Sequence, residues 1–174
     1  FHIVYTGLLT HQQSYPSIIK ALQNLEGNYL IRFSLAGNIP KQIIEEIRAA
    51  LPKVELIYHG YLNHKEAIIL MKRAHLLLNF IFEGANTQMI SGKLLEYIAS
   101  QRPILSLGAT NSEAAKLIEK GSCAIMLNSN DLEGITSFIN RIIEQKETLF
   151  NGFPEIEKWS RESLTKDLIK KCLD

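Results

Sequence analysis

The chain has 174 residues, 46% hydrophobic and 21% charged, which is enough to bury the core of one domain. Its 19 Lys and Arg residues nearly balance its 18 Asp and Glu residues, so its charge gives no reason to expect binding to nucleic acid. No apolar run approaches the roughly 18 residues that a membrane-spanning helix needs.

The two cysteines indicate the cellular compartment of the protein, and the first residues indicate whether the chain is part of a longer protein. Cys123 and Cys172 have neither C-x-x-C spacing nor a histidine cluster nearby, so we expect reduced core thiols in a cytoplasmic protein. The sequence starts with strand-like residues, FHIVYTG, without an initiator Met or a signal peptide. We therefore expect residues 1–174 to be a single domain from a longer protein.

Six short apolar runs predict strands that are buried on both faces. Helical patterns separate them, and this alternation is typical of a parallel sheet. The predicted strands are Ile3–Tyr5, Tyr29–Ala36, Val54–Tyr58, Leu76–Ile81, Ile104–Leu107 and Ala124–Leu127.

Apolar stripes and capping residues predict the helices between these strands, and a further helix is expected from Ser160 to the end of the chain. The stripes are Tyr15, Ile18, Leu22 and Leu25 in the first helix, Ile43, Ile47 and Leu51 after Pro40 in the second, Leu132, Ile135, Ile139 and Ile142 in the sixth, and Leu164, Leu168 and Cys172 in the last. Three pairs have the spacing of an N-cap and a carboxylate three residues on: Asn63 with Glu66, Thr110 with Glu113, and Asn130 with Glu133.

The pattern as a whole predicts an α/β fold, a doubly wound parallel six-stranded sheet with helices on both faces and a terminal helix. In strand order 3-2-1-4-5-6, a crevice opens at the carboxyl ends of strands 1 and 4, where the winding reverses. The segment that follows strand 1 begins at Gly7, and the segment that follows strand 4 leads to Ser91 and Gly92. The sequence predicts a ligand site at these residues.

The stretch SGKLLEYIASQRPIL indicates what this site would bind. Gly92 at a helix N-terminus lets a ligand approach free N–H groups, which favour an anion, and Lys93 adds a positive charge. Glu96, one turn further on, has the chemistry to accept hydrogen bonds from a ribose diol. These residues predict a nucleotide site, although Lys93 and Glu96 at this spacing also fit a solvated surface pair.

Four stretches of the sequence resemble a known family. They are YTGLL, FSLAGN, YHGYLNHKEAIILMKRAHLLLNF and GKLLEYIASQRPIL, and in this order they cover nearly the whole chain. They resemble the C-terminal, donor-binding domain of GT-B glycosyltransferases of family 4, also called glycosyl transferases group 1. The resemblance implies a Rossmann-like half of a GT-B fold that lacks the N-terminal acceptor domain, and a retaining enzyme that uses a nucleotide-diphosphate sugar without a metal or cofactor.

The resemblance also implies roles for particular residues. Glu96 matches the glutamate that holds the ribose, Gly7 matches the glycine beside the diphosphate, and Ser91 and Gly92 match the segment whose backbone meets the donor. Tyr61 and Leu62 lie where relatives place the nucleobase. Independently of the resemblance, the position of Gly37 in the turn after strand 2 makes it a further candidate to border the nucleotide.

The sequence departs from the family pattern in two places. Where many relatives have a second glutamate near the sugar hydroxyls, this chain has Gln88, which cannot supply negative charge; Glu83 is a candidate substitute. The loop after Gly7 lacks the usual arginine and lysine. Lys93 would have to supply that charge, with His11 as a weaker candidate.

The leading hypothesis is therefore the donor-binding domain of a glycosyltransferase that acts on a saccharide or lipid-linked acceptor. Its partners would be the nucleotide-sugar and the missing N-terminal domain, with peripheral membrane association of the full-length protein as a further expectation. Two alternatives stay open: a non-catalytic GT-B-like module that has lost donor binding, and half of a nucleotide-sugar epimerase. A dinucleotide oxidoreductase is disfavoured, because no G-x-G-x-x-G follows the first strand.

Overall fold

The computed structural model describes residues 1–82, 84, 86–145, 152–154 and 156–173. Within them, strands and helices alternate along the chain as the apolar pattern predicts. The strands are β1 (His2–Thr6), β2 (Arg32–Ala36), β3 (Glu55–Tyr58), β4 (Leu76–Phe80), β5 (Ile104–Leu107) and β6 (Ala124–Leu127). The helices are α1 (Tyr15–Leu25), α2 (Lys41–Ala50), α3 (His64–Lys72), α4 (Gly92–Ala99), α5 (Glu113–Ile118), α6 (Leu132–Gln145) and α7 (Arg161–Leu173), with a 3₁₀ helix at Ile156–Trp159.

The six strands of the described residues form one parallel sheet in the order β3-β2-β1-β4-β5-β6. This confirms the predicted fold class and places the reversal of winding between β1 and β4. Side chains alternate across the sheet, so that Ile3 and Tyr5 belong to one apolar cluster with α1, α2 and α6. Val4 belongs to a second cluster, with α3, α4 and α5, on the opposite face.

The second strand starts later than predicted. Residues from Tyr29 were expected to be extended in the sheet, but β2 begins at Arg32. Tyr29 forms only an isolated bridge with Glu26, and its hydroxyl donates to Asn140 Oδ1 at 2.8 Å. Leu30 is 93% exposed, so this apolar stretch is a connection and not a buried strand. The other strands agree with prediction to within one residue at each end.

One of the three predicted caps is confirmed. Asn63 and Glu66 form a reciprocal capping box at the start of α3. The cap of α5 is not Thr110, as predicted, but Ser112, whose hydroxyl accepts from Ala115 N–H. At α6 the predicted Asn130 is also wrong: Asp131 directly precedes the helix, and its carboxylate accepts from the N–H three residues on. In both cases the helix starts later than the spacing suggested.

The terminal helix α7 forms as predicted, and its apolar stripe is exposed. Leu164 and Leu168 are 53% and 62% exposed, so the predicted apolar stripe is not buried against the described residues. Cys172 is likewise exposed and not the core thiol expected, whereas Cys123 is buried as predicted, and both are free. In the part of the chain that the structure describes, no helix is both long and apolar enough to cross a bilayer.

Candidate functional site

Three glycines form a row at the carboxyl ends of β1, β2 and β3. Gly7, Gly37 and Gly60 have φ values of +120°, +120° and +66°, a region that residues with a Cβ rarely adopt. Their backbones are joined, since Gly7 N–H donates to Ala36 O at 2.8 Å and Gly37 N–H donates to Gly60 O at 2.7 Å. The row places three residues that have no side chain at this edge of the sheet, at the predicted site.

Gly37 has a second reason to be glycine. A Cβ added at this position would lie 2.2 Å from the carbonyl oxygen of Gly7, far inside van der Waals contact. At Gly60 the corresponding space is open for 4 Å. The loops that follow β1 and β2 therefore pack directly backbone to backbone. The sequence analysis selected Gly7 and Gly37 but missed Gly60, whose signal was its position two residues after a predicted strand.

The N-terminus of α4 lies at the same edge. Ser91 is its N-cap, and the Ser91 hydroxyl accepts a hydrogen bond from Leu94 N–H at 3.2 Å. Gly92, the first residue of the helix, is exposed, and a Cβ added there would meet no atom within 4 Å. The first N–H groups of a helix have no partner within it, so this terminus offers donors in open space. Ser91 contributes mainly by shaping the terminus.

Lys93 lies against the end of β1. Its Nζ is 3.0 Å from the hydroxyl of Tyr5 and 4.2 Å from the centre of the Tyr5 ring. A Cβ added at Gly7 would be 3.3 Å from the same Nζ. Burial lowers the pKa of Lys93 to about 8. The structure therefore brings the predicted cation and the predicted glycine together, and Lys93 is not part of a solvated surface pair.

Tyr97 anchors α4 to the sheet. Its side chain is fully buried, and its hydroxyl oxygen accepts from the N–H of Thr6, the last residue of β1, at 2.8 Å. Thr6 Oγ1 is 3.2 Å from the same oxygen. Burial raises the pKa of Tyr97 to about 12, so the phenol is neutral at ordinary pH. This contact holds the start of α4 above the carboxyl end of β1, and sequence reasoning had not assigned Tyr97 a role.

Glu96 faces the beginning of α3. Its Oε1 lies 3.8 Å from Nδ1 of His64, and both side chains are well exposed. His64 follows the cap of α3, close in sequence to the predicted base-binding residues Tyr61 and Leu62. Tyr61 is 88% exposed, whereas Leu62 packs partly into the apolar cluster under α3 and α4. His64 was missed because it lacks metal-ligand spacing, although its closeness to Tyr61 in sequence was a usable signal.

Gly7, Lys93 and the first residues of α4 together form a corner at this edge of the sheet. The structure does not bring every candidate residue to this corner. Gln88 is exposed in the loop before α4, where its N–H donates to Asn86 Oδ1. His11 turns towards α1, with Nδ1 3.0 Å from the hydroxyl of Tyr15, and Tyr15 in turn donates to Glu46. Glu83 lies outside the described residues.

Two grooves open along the same edge of the sheet, beside this corner. One, of about 610 Å³, is lined by the loop before α1 and the start of that helix, by Phe82 beyond β4, and by the residues before α6. The other, of about 370 Å³, is lined by the segments that follow β4, β5 and β6. Among the described residues, the walls of the grooves carry no Lys, Arg, Asp or Glu side chain. The corner at α4 is therefore the better match to a charged ligand.

The described residues do not form a candidate metal site. Among residues 1–82, 84, 86–145, 152–154 and 156–173, no three His, Cys, Asp or Glu side chains come together as a metal ion would need.

Comparison with known proteins identifies one family model and several similar folds. The model for glycosyl transferases group 1 matches residues 1–145. No curated protein matches the chain by sequence. Among solved structures, the lipopolysaccharide outer core galactosyltransferase WaaB, in its apo form, superposes with a TM-score of 0.69 at 16% identity, over 98% of this chain and 49% of that one.

Two further structures have the same fold. The N-terminal domain of Candida albicans trehalose-6-phosphate phosphatase has a TM-score of 0.65 at 16% identity, over 99% of this chain and 41% of that one. The catalytic domain of cholesterol-alpha-glucosyltransferase from Helicobacter pylori has a TM-score of 0.65 at 18% identity, over 95% of this chain and 98% of that one. The chain thus spans less than half of the first two structures, and at these identities the likeness shows the fold alone.

Proposed function

Since the chain belongs to the family of glycosyl transferases group 1, we propose that it binds the nucleotide-sugar donor of a retaining glycosyltransferase. One observation carries the proposal: the ammonium of Lys93 and the open N-terminus of α4 lie together beside Gly7. A diphosphate matches both features, because helix N-termini and cations each favour an anion. The corner also lies at the reversal of strand order, where ligands bind in sheets of this kind.

The same groups would assist the transfer of the sugar. Transfer breaks the bond between the anomeric carbon and a diphosphate oxygen, so negative charge grows on the leaving diphosphate. Lys93 and the N–H groups at the start of α4 would stabilise that charge, and they are in place before the reaction. No step of this proposal requires a metal or a cofactor.

The nucleoside would lie between α4 and the segment before α3. The carboxylate of Glu96 would accept hydrogen bonds from the two ribose hydroxyls, and the nearby His64 would help to orient that carboxylate. The exposed ring of Tyr61 offers a surface on which a nucleobase can stack. Leu62 would support this surface from the apolar side, and Gly37 would border the nucleotide.

We propose that another domain of a longer protein binds the acceptor. An N-terminal domain would complete the cleft and bind a saccharide or lipid-linked acceptor, so that this domain alone would bind the donor without transferring the sugar. We propose a cytoplasmic location, where nucleotide-sugars are made and thiols such as Cys172 remain reduced. Peripheral association of the whole protein with a membrane would suit a lipid-linked acceptor.

Calorimetric titration with UDP, GDP and ADP tests the proposal. At least one of the three should bind, and Glu96→Ala should weaken binding at least tenfold, because a ribose diol loses two hydrogen bonds to a charged group. Glu45→Ala is the matched control, since Glu45 is an exposed helical glutamate that pairs with Lys41 one turn earlier on α2. Failure of all three nucleotides to bind, or equal effects of the two substitutions, would contradict donor binding.

A non-catalytic module with the same fold is the second candidate. It is favoured by the loop after Gly7, where Leu8, Thr10, His11 and Gln12 stand in place of the family's cationic pair, and by Gln88. One similar structure is a domain of a trehalose-6-phosphate phosphatase, so this fold also occurs in a protein named for another activity. The titration separates the two candidates, because a module without a donor site would bind none of the nucleotides.

A further inference from the structure

The hydroxyl of Tyr5 lies at the centre of the proposed diphosphate corner. Tyr5 belongs to β1 and is fully buried, with its ring 5.1 Å from that of Phe80 on β4. Its hydroxyl donates a hydrogen bond to the carbonyl of Leu8 and lies 3.0 Å from Nζ of Lys93. One oxygen atom thus contacts both the candidate cation and the loop that follows Gly7.

The directions of these bonds follow from the groups themselves. An ammonium group donates three hydrogen bonds and accepts none, so Lys93 donates to Tyr5. The phenol has one proton, and it goes to the carbonyl of Leu8. The result is an ordered chain of hydrogen bonds from Lys93 through Tyr5 to Leu8, in which the phenol is acceptor and donor at once.

The loop after Gly7 is held at the same carbonyl from its other side. Gln13 Nε2 donates to Leu8 O at 3.2 Å, and Gln13 Oε1 accepts from both N–H and Oγ1 of Thr10 at 2.7 Å. Leu8 O therefore joins β1 to the segment that leads into α1. Removal of the Tyr5 hydroxyl would leave the Leu8 carbonyl with the hydrogen bond from Gln13 and without the one from Tyr5.

Among the described residues, the hydroxyl of Tyr5 is the polar group that contacts the ammonium of Lys93. Two further titratable side chains follow Lys93 on α4, the carboxylate of Glu96 and the phenol of Tyr97. Glu96 points to His64 instead, and among the described residues no carboxylate forms an ion pair with Lys93. The Tyr5 hydroxyl is thus the hydrogen-bond acceptor that holds the ammonium in place.

We propose that Tyr5 is a positioning residue of the diphosphate site, which holds the ammonium of Lys93 beside Gly7 and fixes the loop after Gly7 through the same hydroxyl. The inference rests on the proposed function. A purely structural role would need only the ring, because phenylalanine fills the same apolar space and the hydroxyl is costly to bury. The hydroxyl thus has a distinct task at the edge of the binding corner.

Binding of diphosphates to Tyr5→Phe is the first test, with inorganic pyrophosphate, UDP, GDP and ADP as probes. Affinity should fall by about tenfold, because the ammonium of Lys93 would no longer be held beside Gly7 before the diphosphate binds. The pH above which binding is lost should also move down, because the ammonium loses the acceptor that favours its charged form. Tyr29→Phe is the control, since the hydroxyl of Tyr29 bonds to Asn140 on α6 and not to Lys93 or Leu8.

A second measurement needs no ligand. Titration of lysines labelled with ¹³C at Cε, with the signal of Lys93 assigned by its absence in Lys93→Met, reports the pKa of Lys93 directly. That pKa should be lower in Tyr5→Phe than in the wild type and unchanged in Tyr29→Phe. Should Tyr5→Phe fail to fold, 3-fluorotyrosine at position 5 weakens the acceptor while keeping the hydroxyl, and it should shift the pKa in the same direction.

The outcomes distinguish the two proposals. A wild-type protein that binds none of the diphosphates overturns the proposed function. An unchanged titration of Lys93 in Tyr5→Phe overturns the positioning role, and so does unchanged diphosphate affinity in that variant.

Discussion

The N–H of Thr6 donates a 2.8 Å hydrogen bond to the hydroxyl of Tyr97, a residue 91 positions further along the chain. Thr6 is the last residue of β1, and Tyr97 is buried on the sheet-facing side of α4. The bond joins the two elements that border the proposed donor site. Because Lys93 lies one turn earlier on α4, its distance from Gly7 depends on this contact.

The first prediction is that Tyr97→Phe destabilises the fold. The substitution leaves the buried N–H of Thr6 without its acceptor, at a cost of about 1–3 kcal/mol. Urea denaturation should show this as a lower midpoint with an unchanged slope. Tyr29→Phe should cost less, because the hydroxyl of Tyr29 is only partly buried and bonds to a side chain. Equal losses in the two variants would show that the bond to Thr6 has no special weight.

The second prediction is that Lys93→Met stabilises the protein and weakens nucleotide binding. Burial of the ammonium lowers its pKa from 10.5 to about 8, so the charged form is disfavoured in the folded state at neutral pH. Removing it should raise the free energy of unfolding at pH 7 by about 1–2 kcal/mol. Diphosphate affinity should fall more than tenfold, because the nearest cation is gone.

The pH dependence of unfolding checks the sign of this effect. Between about pH 8 and pH 10.5 the unfolded state binds more protons at Lys93 than the folded state does, so this residue makes wild-type stability rise with pH across that interval. The methionine variant should lack that contribution. Parallel stability curves for the two proteins from pH 7 to pH 10 would contradict the assignment.

The third prediction separates two reasons for glycine at the edge of the sheet. Gly37→Ala should cost on the order of 3 kcal/mol or more, because the new Cβ meets the carbonyl of Gly7 in addition to the strain of a positive φ. Gly60→Ala should cost only about 1–2 kcal/mol, the strain alone. Thermal unfolding of both variants measures the difference. A cost at Gly60 as large as that at Gly37 would show that close backbone approach is not the cause.

The fourth prediction concerns stability at acid pH. The pKa of His2 is lowered mainly by burial and further by Arg32 and neighbouring histidines, and its Nε2 lies 2.8 Å from Ser34 Oγ. The unfolded state therefore takes up a proton first, near its ordinary pKa of 6.5. The stability that His2 contributes is complete above that pH and is lost as the pH falls through the pKa of the folded state. His2→Gln should flatten the decline in unfolding free energy between pH 7.5 and pH 5, whereas an unaltered decline would assign it to other groups.

Most of the fold follows from local patterns in the sequence. Runs such as Leu76–Ile81 are apolar at every position except Asn79, which in a short segment indicates a strand buried on both faces. Strand order follows from general rules of winding. The errors arise where local pattern and tertiary contact diverge: Tyr29 and Leu30 have strand-like character but lie outside the sheet, and Asp131 caps α6 because the chain turns one residue later than the spacing suggests.

The site could be predicted only in outline. Sequence position places Gly7 and Lys93 at the ends of neighbouring elements, and the structure brings them together. Sequence position does not reveal that Lys93 is largely buried. Its burial depends on contact with Tyr5, whose side chain belongs to the face of the sheet opposite to α4. The approach of Glu96 to His64 depends on how α3 and α4 pack against each other, which no local pattern encodes.

The distance along the chain between Thr6 and Tyr97 also has a consequence for biosynthesis. A protein leaves the ribosome from its amino end. The strands β1, β2 and β3 are therefore available to pair once the chain up to Tyr58 has left the ribosome. The Thr6 amide must wait for a partner that is translated 91 residues later. In a nascent chain the edge of the sheet at Thr6 would thus remain open to solvent until α4 emerges, after β1 to β4 and before β5 and β6.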